Sequence, residues 1–275
     1  MIERGTKEEQ GALDTMQAAA DAQTRTEEIL SCALDIGEHM LNSNAEVYRV
    51  EETISRVCRA YGMERVDAFA IPNSIVVTVT PAQGSPVTQT RRIMSASTNL
   101  DMVEHLNQLS RDVCRTKPEP GDVRRRVQKI VSAQKTTIWW TLAANIISTA
   151  GFSAFFGGSW RDVIAAGFAG LIVTILQKFM KVRSSNVLYN VILSAITGAC
   201  AYFSVKWGLA DNVDKIVIGG IMLFIPGMEM TNGIRDMMWG DIFAGLSHLC
   251  EAIIIAVGIA VGAAGTVAIL GGLLG

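Results

Sequence analysis

From residue 242 to residue 274 the sequence reads "IFAGLSHLCEAIIIAVGIAVGAAGTVAILGGLL", an apolar run interrupted only by His248, Cys250 and Glu251 among titratable residues. About 20 such residues suffice to cross a bilayer. This run is longer than one upright crossing needs. It is expected to be a tilted or protruding helix, or one crossing with a short returning piece. Gly258 and Gly262 add a G-x-x-x-G spacing that permits close helix contact. Four further apolar runs precede it, at 136–157, 162–180, 187–205 and 213–225. The fold class expected is therefore an α-helical multi-pass membrane bundle of about five spans.

The rest of the 275-residue chain has a different character. Charged residues are frequent up to about residue 135, and the length allows one or two domains. We expect a disordered lead at 1–24, an N-terminal cytoplasmic α+β domain at 25–134 and a transmembrane domain at 135–275. The lead is polar and acidic, with no apolar core of a signal peptide. In the polar half, Ile29, Ala33, Ile36 and Met40 fall at helical spacing, and Val47, Val50, Ile54, Val57 and Tyr61 make a second stripe. Ser43 and Glu46 read as an S-x-x-E capping box for that second helix, with Gly62 as its stop. Three β-branched runs, "RVDAFAI", "SIVVTVT" and "VTQTRRI", predict short strands. Two more helical patterns follow, at 99–114 and 120–134.

Composition excludes some functions. A net charge of −2 gives no footing for nucleic acid. The five cysteines are scattered, with no C-x-x-C pair, which argues for reduced, core-packed thiols and against a zinc site. No metal or other cofactor is expected, and no Walker-type phosphate loop is present.

Basic residues in the short connections set the orientation. Arg124, Arg125, Arg126, Lys129 and Lys135 precede the first span, and Lys178, Lys181 and Arg183 lie between the second and third. The first-to-second connection has only Arg161, and the third-to-fourth has Lys206 and Lys215. The polar half and the loop after the fourth span are thus expected in the cytoplasm.

That loop carries the densest chemistry. "LFIPGMEMTNGIRDMMWGD" (223–241) puts a helix-breaking Pro226–Gly227 pair before Glu229, Asn232, Arg235, Asp236, Gly240 and Asp241. Broken backbone at membrane depth survives where protein or water satisfies its polar groups, usually along a cavity. Asp241 is placed to cap the last helix, and Asp236 or Glu229 to pair with Arg235. His248 and Glu251 share a face of the last span, and intramembrane ionisable residues are by default functional. A structural His–Glu pair is the alternative. In the polar half, Tyr48, Arg49, Val50, Glu51 and Glu52 form the main cluster. Its Arg49–Glu52 and Glu52–Arg56 spacings are also those of surface ion pairs. Nothing there supplies a nucleophile with a base, so an enzyme is unsupported.

"NAEVYRVEETISRVCRAYG" with "VDAFAIPNSIVVTV", "RRIMSASTNLDMVEHLNQLSRDV" and "PGMEMTNGIRDMMWGDIFAGLSHLCEA" together resemble the threonine/serine exporter family, ThrE. The likeness covers nearly all of the chain after about residue 25. It carries over Tyr48, Arg49, Val50 and Glu51 in the cytoplasmic helix, and Pro226, Gly227, Arg235, Asp236, Gly240, Asp241 and Glu251 in the membrane part. His248 departs from the pattern, where an Arg is expected, and offers a titratable charge in place of a permanent one. By length the chain resembles the larger half of a split exporter, the YjjP type. The resemblance implies export of serine, threonine or dicarboxylates such as succinate, and a small YjjB-type partner in the inner membrane of a bacterium.

The function expected is thus half of a secondary exporter, proton-gradient driven, with Arg235 attracting a substrate carboxylate and Glu251 with His248 handling a proton. The competing readings are a membrane-tethered enzyme or sensor, and an uncoupled homo-oligomeric channel.

Overall fold

The computed structural model describes residues 2–94, 97–133, 138–180 and 187–274; the side chains of 2–15, 18, 19 and 274 are not described. Lys135, Lys181, Arg183 and the first two residues of the run 136–157 lie outside the described residues. The chain divides into two compact units. One comprises Met1–Gln134 with Arg235–Gly245, and the other Lys135–Ile234 with Leu246–Gly275.

The first unit opens with α1 (Ile2–Asn42) and α2 (Val47–Ala60). The stretch expected as a disordered lead forms the first turns of α1. It has no proline and is rich in Ala, Gln and Glu, all good helix formers. The apolar stripes pack as their spacing requires: Ile36 and Met40 of α1 and Val47, Val50 and Ile54 of α2 are fully buried. The two helices approach closely at Gly37, where a Cβ would lie 2.5 Å from Ile54 Cδ1. The expected capping box does not form. Ser43 lies in the turn just past α1, its hydroxyl donating to the His39 carbonyl at 2.8 Å. Glu46 is the N-cap of α2, without a side-chain capping bond. Gly62 does stop that helix, at φ +92°.

β1 (Met63–Ile71), β2 (Ser74–Pro81) and β3 (Val87–Arg92) form an antiparallel meander in that order. Alternation sets the central strand, with Ile75, Val77 and Val79 turned into the core. α3 (Leu100–Thr116) and α4 (Pro120–Ala133) complete the core with Leu106, Val113 and Val123. The cysteines are free thiols. Cys32 and Cys58 are buried as expected, but Cys250 is exposed, so core packing does not hold for all five.

The second unit contains α5 (Ile138–Phe155), α6 (Trp160–Met180), α7 (Val187–Lys206) and α8 (Val213–Ile221). It also holds most of α9 (Gly227–Met238) and of α10 (Ile242–Leu274). Among the described residues three helices are long and apolar enough to cross a membrane: α6, α7 and α10. The last run is one continuous helix of 33 residues. The run 213–225, expected as a fourth span, is not a spanning helix. α8 ends after nine residues, about 14 Å at 1.5 Å per residue, half of what a crossing needs. Short-range turns at 222–227 separate it from α9, as the Pro226–Gly227 pair led us to expect.

Small and hydroxylated residues let these helices approach. A Cβ at Gly219 would lie 2.6 Å from the Thr149 carbonyl oxygen, and one at Gly220 would run into a Thr197 methyl. At Gly262 it would run into the Val191 carbonyl, so the G-x-x-x-G spacing marks a real α7–α10 contact. Two of the buried hydroxyls are satisfied within their own helices, Thr174 donating to the Gly170 carbonyl at 2.7 Å and Thr197 to Leu193 at 3.0 Å.

Candidate functional site

Two motifs far apart in sequence meet in the first unit. α9 ends in a Schellman turn: the Gly240 N–H donates to the Met237 carbonyl at 3.1 Å and the Asp241 N–H to the Asp236 carbonyl at 2.9 Å. Gly240 sits at φ +99°, which a side chain would strain. Asp241 then starts α10, its carbonyl accepting from the Gly245 N–H at 2.9 Å.

This turn is held at the N-terminus of α2. Arg235 forms an ion pair with Glu46. The Val47 N–H donates to the Asp236 carboxylate, at the positive end of the α2 dipole. Tyr48 stacks on Trp239, with ring centroids 4.9 Å apart and planes 18° from parallel. Glu51 accepts from the Ala70 N–H of β1 at 2.7 Å. Ala244 joins the core of the same unit.

The electrostatics of this clamp are unusual. Asp236 is fully buried. Burial and the charge of Asp241 push its carboxyl up to about 6, against the Val47 N–H and Arg235, which favour the charged form. The Glu51 carboxyl is also raised, first by burial, then by Asp241 and Asp236, with the Ala70 N–H opposing.

The sequence candidates therefore separate into two groups. Tyr48, Glu51, Arg235, Asp236, Gly240 and Asp241 build the clamp. Val50 is a core residue, and Glu52 makes an exposed ion pair with Arg56 at 2.5 Å. Arg49 faces Glu46 at 4.0 Å, not Glu52. Arg235 pairs with Glu46, where Asp236 or Glu229 was expected, because the Schellman turn delivers it to the start of α2. That engagement occupies the guanidinium expected to attract substrate.

The second group lies in the other unit. The Pro226 carbonyl accepts the first bond of α9, from the Met230 N–H at 3.1 Å, and Gly227 follows it, exposed. Asn232 and His248 are buried, Glu229 and Glu251 half-buried. Glu229 of α9 and Glu251 of α10 interact electrostatically.

Sequence reasoning missed Trp239 and the clamp role of Glu46. It also missed Asp162, which is buried and accepts from the Asp211 and Asn212 N–H groups at 2.7 and 2.9 Å. Asn212 Nδ2 and the Ser159 N–H donate to its other oxygen, both at 2.9 Å. Here a capping box does form, since the Ser159 hydroxyl accepts from the Asp162 N–H at 3.3 Å. The S-x-x-D spacing at 159–162 was its available signal. Among the described residues no group of three His, Cys, Asp or Glu side chains could hold a metal ion.

A helical unit of membrane-crossing type, linked through α9 and α10 to a unit with a small sheet, defines a multi-pass membrane protein. The chain belongs to the ThrE family, whose model, described as "Putative threonine/serine exporter", matches residues 31–270. It is 24% identical over 236 residues to the "Probable succinate transporter subunit YjjP" of Klebsiella aerogenes, across 85% of this chain and 89% of that protein. The Escherichia coli protein of the same description is 24% identical over 232 residues, 83% of this chain and 90% of its own. A Schizosaccharomyces pombe protein described as uncharacterized is 26% identical over 186 residues, 62% of this chain but 22% of its own. No solved structure matches. The chain thus belongs to a family of membrane transporters, not of enzymes.

Proposed function

We propose that the chain is the larger half of a proton-gradient-driven exporter of small carboxylate metabolites, either serine/threonine-type amino acids or dicarboxylates such as succinate. A small YjjB-type membrane subunit supplies the other half, in the inner membrane of a bacterium. The carrying observation is the Glu229–Glu251 pair, with buried His248 one turn before Glu251 and a helix break at 222–226. Ionisable groups beside interrupted helices are how secondary transporters build coupling and substrate sites.

The topology follows from the clamp. Residues 235–245 fold with the N-terminal unit, outside the bilayer and in the cytoplasm on the charge pattern of the flanks. α5, α6 and α7 then cross in turn, α8 with the front of α9 makes a broken fourth passage, and α10 crosses last. Exposed Trp139 and Trp140 at the start of α5, Trp160 at the start of α6 and Trp207 just beyond α7 support this reading, because Trp favours membrane interfaces. Asp162 ties the α5–α6 connection to the α7–α8 connection at the outer end. The N-terminal unit holds the turn that starts α10.

The test is efflux of succinate, serine and threonine from proteoliposomes, with and without the small subunit, under an imposed pH gradient. Glu251→Gln is expected to abolish gradient-dependent export while leaving the protein folded. Export that persists in this variant, or downhill flux indifferent to the gradient, would overturn coupling and favour an open channel.

A further inference from the structure

A groove of about 600 Å³ lies between α2 and α3 in the first unit, within the roughly 300–1,000 Å³ range of small-molecule clefts. We propose that it binds a small carboxylate metabolite through the guanidinium groups of Arg49 and Arg111. Three observations carry this.

The first is the charge available. Arg49 has Glu46 as its ion partner only at 4.0 Å, and that carboxylate is engaged by Arg235. Arg111 makes no ion pair among the described residues. Asp112, also on the groove, is paired with Arg115 at 3.6 Å. Arg111 is thus open to a ligand and Arg49 is held only by the long contact to Glu46, and paired N–H donors suit a carboxylate better than any other side chain does.

The second is spacing. Glu104, Gln108 and Arg111 stand at i, i+4 and i+7 of α3 and so share one face, with Asn107 beside them. Amide groups can donate to or accept from a ligand, and Val103 supplies an apolar floor. A dicarboxylate would bridge the two arginines. An α-amino acid would give its carboxylate to them and its ammonium to Glu104.

The third is position. Arg49 is flanked by Glu46 and Tyr48, both members of the clamp. A ligand that draws Arg49 toward the groove removes the second cation from Glu46 and alters the grip on Arg235. The groove is then a regulatory site for the cytoplasmic pool. That its ligand is of the cargo's class rests on the exporter reading; the binding itself does not.

The experiment is calorimetric titration of the full chain in detergent with sodium succinate and, separately, L-serine. At least one probe is expected to bind saturably. Arg111→Gln should weaken that binding about tenfold or more, the value of a lost charge-assisted hydrogen bond. Arg111→Lys should weaken it less. Glu104→Gln should weaken serine and spare succinate. Both positions are exposed, so the variants keep the fold, which thermal unfolding checks. Glu251→Gln should bind as the parent does, so loss of export with retained binding separates this site from the transport path. Absence of binding by both probes, or an Arg111→Gln isotherm identical to the parent's, would overturn the proposal.

Discussion

Asp236→Asn removes a charge that the clamp holds at a cost, and the cost can be worked from the structure. The carboxyl rises from an ordinary 3.8 to about 6. At about 1.4 kcal/mol for each tenfold change in proton affinity, the group withholds about 3 kcal/mol of stability at neutral pH. The folded value is the higher of the two, and that fixes the sign. Below about pH 4 both folded and unfolded chains carry the proton, and the stability is fully present. Between about 4 and 6 the unfolded chain ionises first, and stability falls as pH rises. Above 6 both are ionised and the loss is constant. The charged groups facing Asp236 are Arg235 and Asp241 on its own segment and Glu51 from α2. Asn keeps an oxygen for the Val47 N–H but adds a buried donor, which returns about 1 kcal/mol or more of cost. The variant is therefore expected to be about 1–2 kcal/mol more stable than the parent at pH 7.5 and no more stable at pH 4. Thermal unfolding of the purified full chain, followed by tryptophan fluorescence, reads this as a gain of several degrees at the higher pH alone. Equal destabilisation at both values would refute the reasoning, because Asp236 would then be an ordinary satisfied carboxylate.

Two further outcomes test the packing. Gly262→Ala should cost about 1–3 kcal/mol, since its methyl would meet the Val191 carbonyl and the Ser194 hydroxyl and force α7 from α10; Gly265→Ala, with nothing within 4 Å, should be close to neutral in the same melting assay. Asp162→Ala should cost about 2–4 kcal/mol by leaving the Ser159, Asp211 and Asn212 N–H groups without their acceptor. Protease sensitivity of the 207–212 connection should rise with it.

Much of the fold was legible because it rests on period. The stripes of α1 and α2, the alternation of β2 and the G-x-x-x-G contact are local statements that packing then honours. Pro226 and Gly62 were also readable as breaks, since their backbone chemistry does not depend on neighbours. What escaped was partnership. Nothing in the spacing of Arg235 points to Glu46, 189 positions earlier, nor of Trp239 to Tyr48. The local rule even misled at Ser43, where a valid S-x-x-E pattern lost to the turn just past α1 that the buried Met40 and Leu41 hold in place. The run 213–225 was apolar enough for a span but too short, and its Gly219–Gly220 pair serves close contact with Thr149 and Thr197 instead.

The clamp makes sense as a device only if its strength changes. Four acids, Glu46, Glu51, Asp236 and Asp241, gather around one turn with Arg235 as their close cation. A fixed brace would be firmer with fewer of them, because each added carboxylate raises the cost of the others. The aromatic stack supplies a pH-independent hold, worth about 0.5–1.5 kcal/mol beyond its buried area. On this proposed role the proton supplies the rest. If the released turn returns Asp236 to its ordinary value near 3.8, the gap to about 6 lets protonation favour the held state by roughly two powers of ten. Acidification then tightens the grip on the start of α10, and a rise in pH loosens it. α10 runs on unbroken from Ala244 to Glu251, about 10 Å of helix rise. Asp236 itself sits on α9, six residues before α10 begins, so its protonation acts on the turn from which α10 starts.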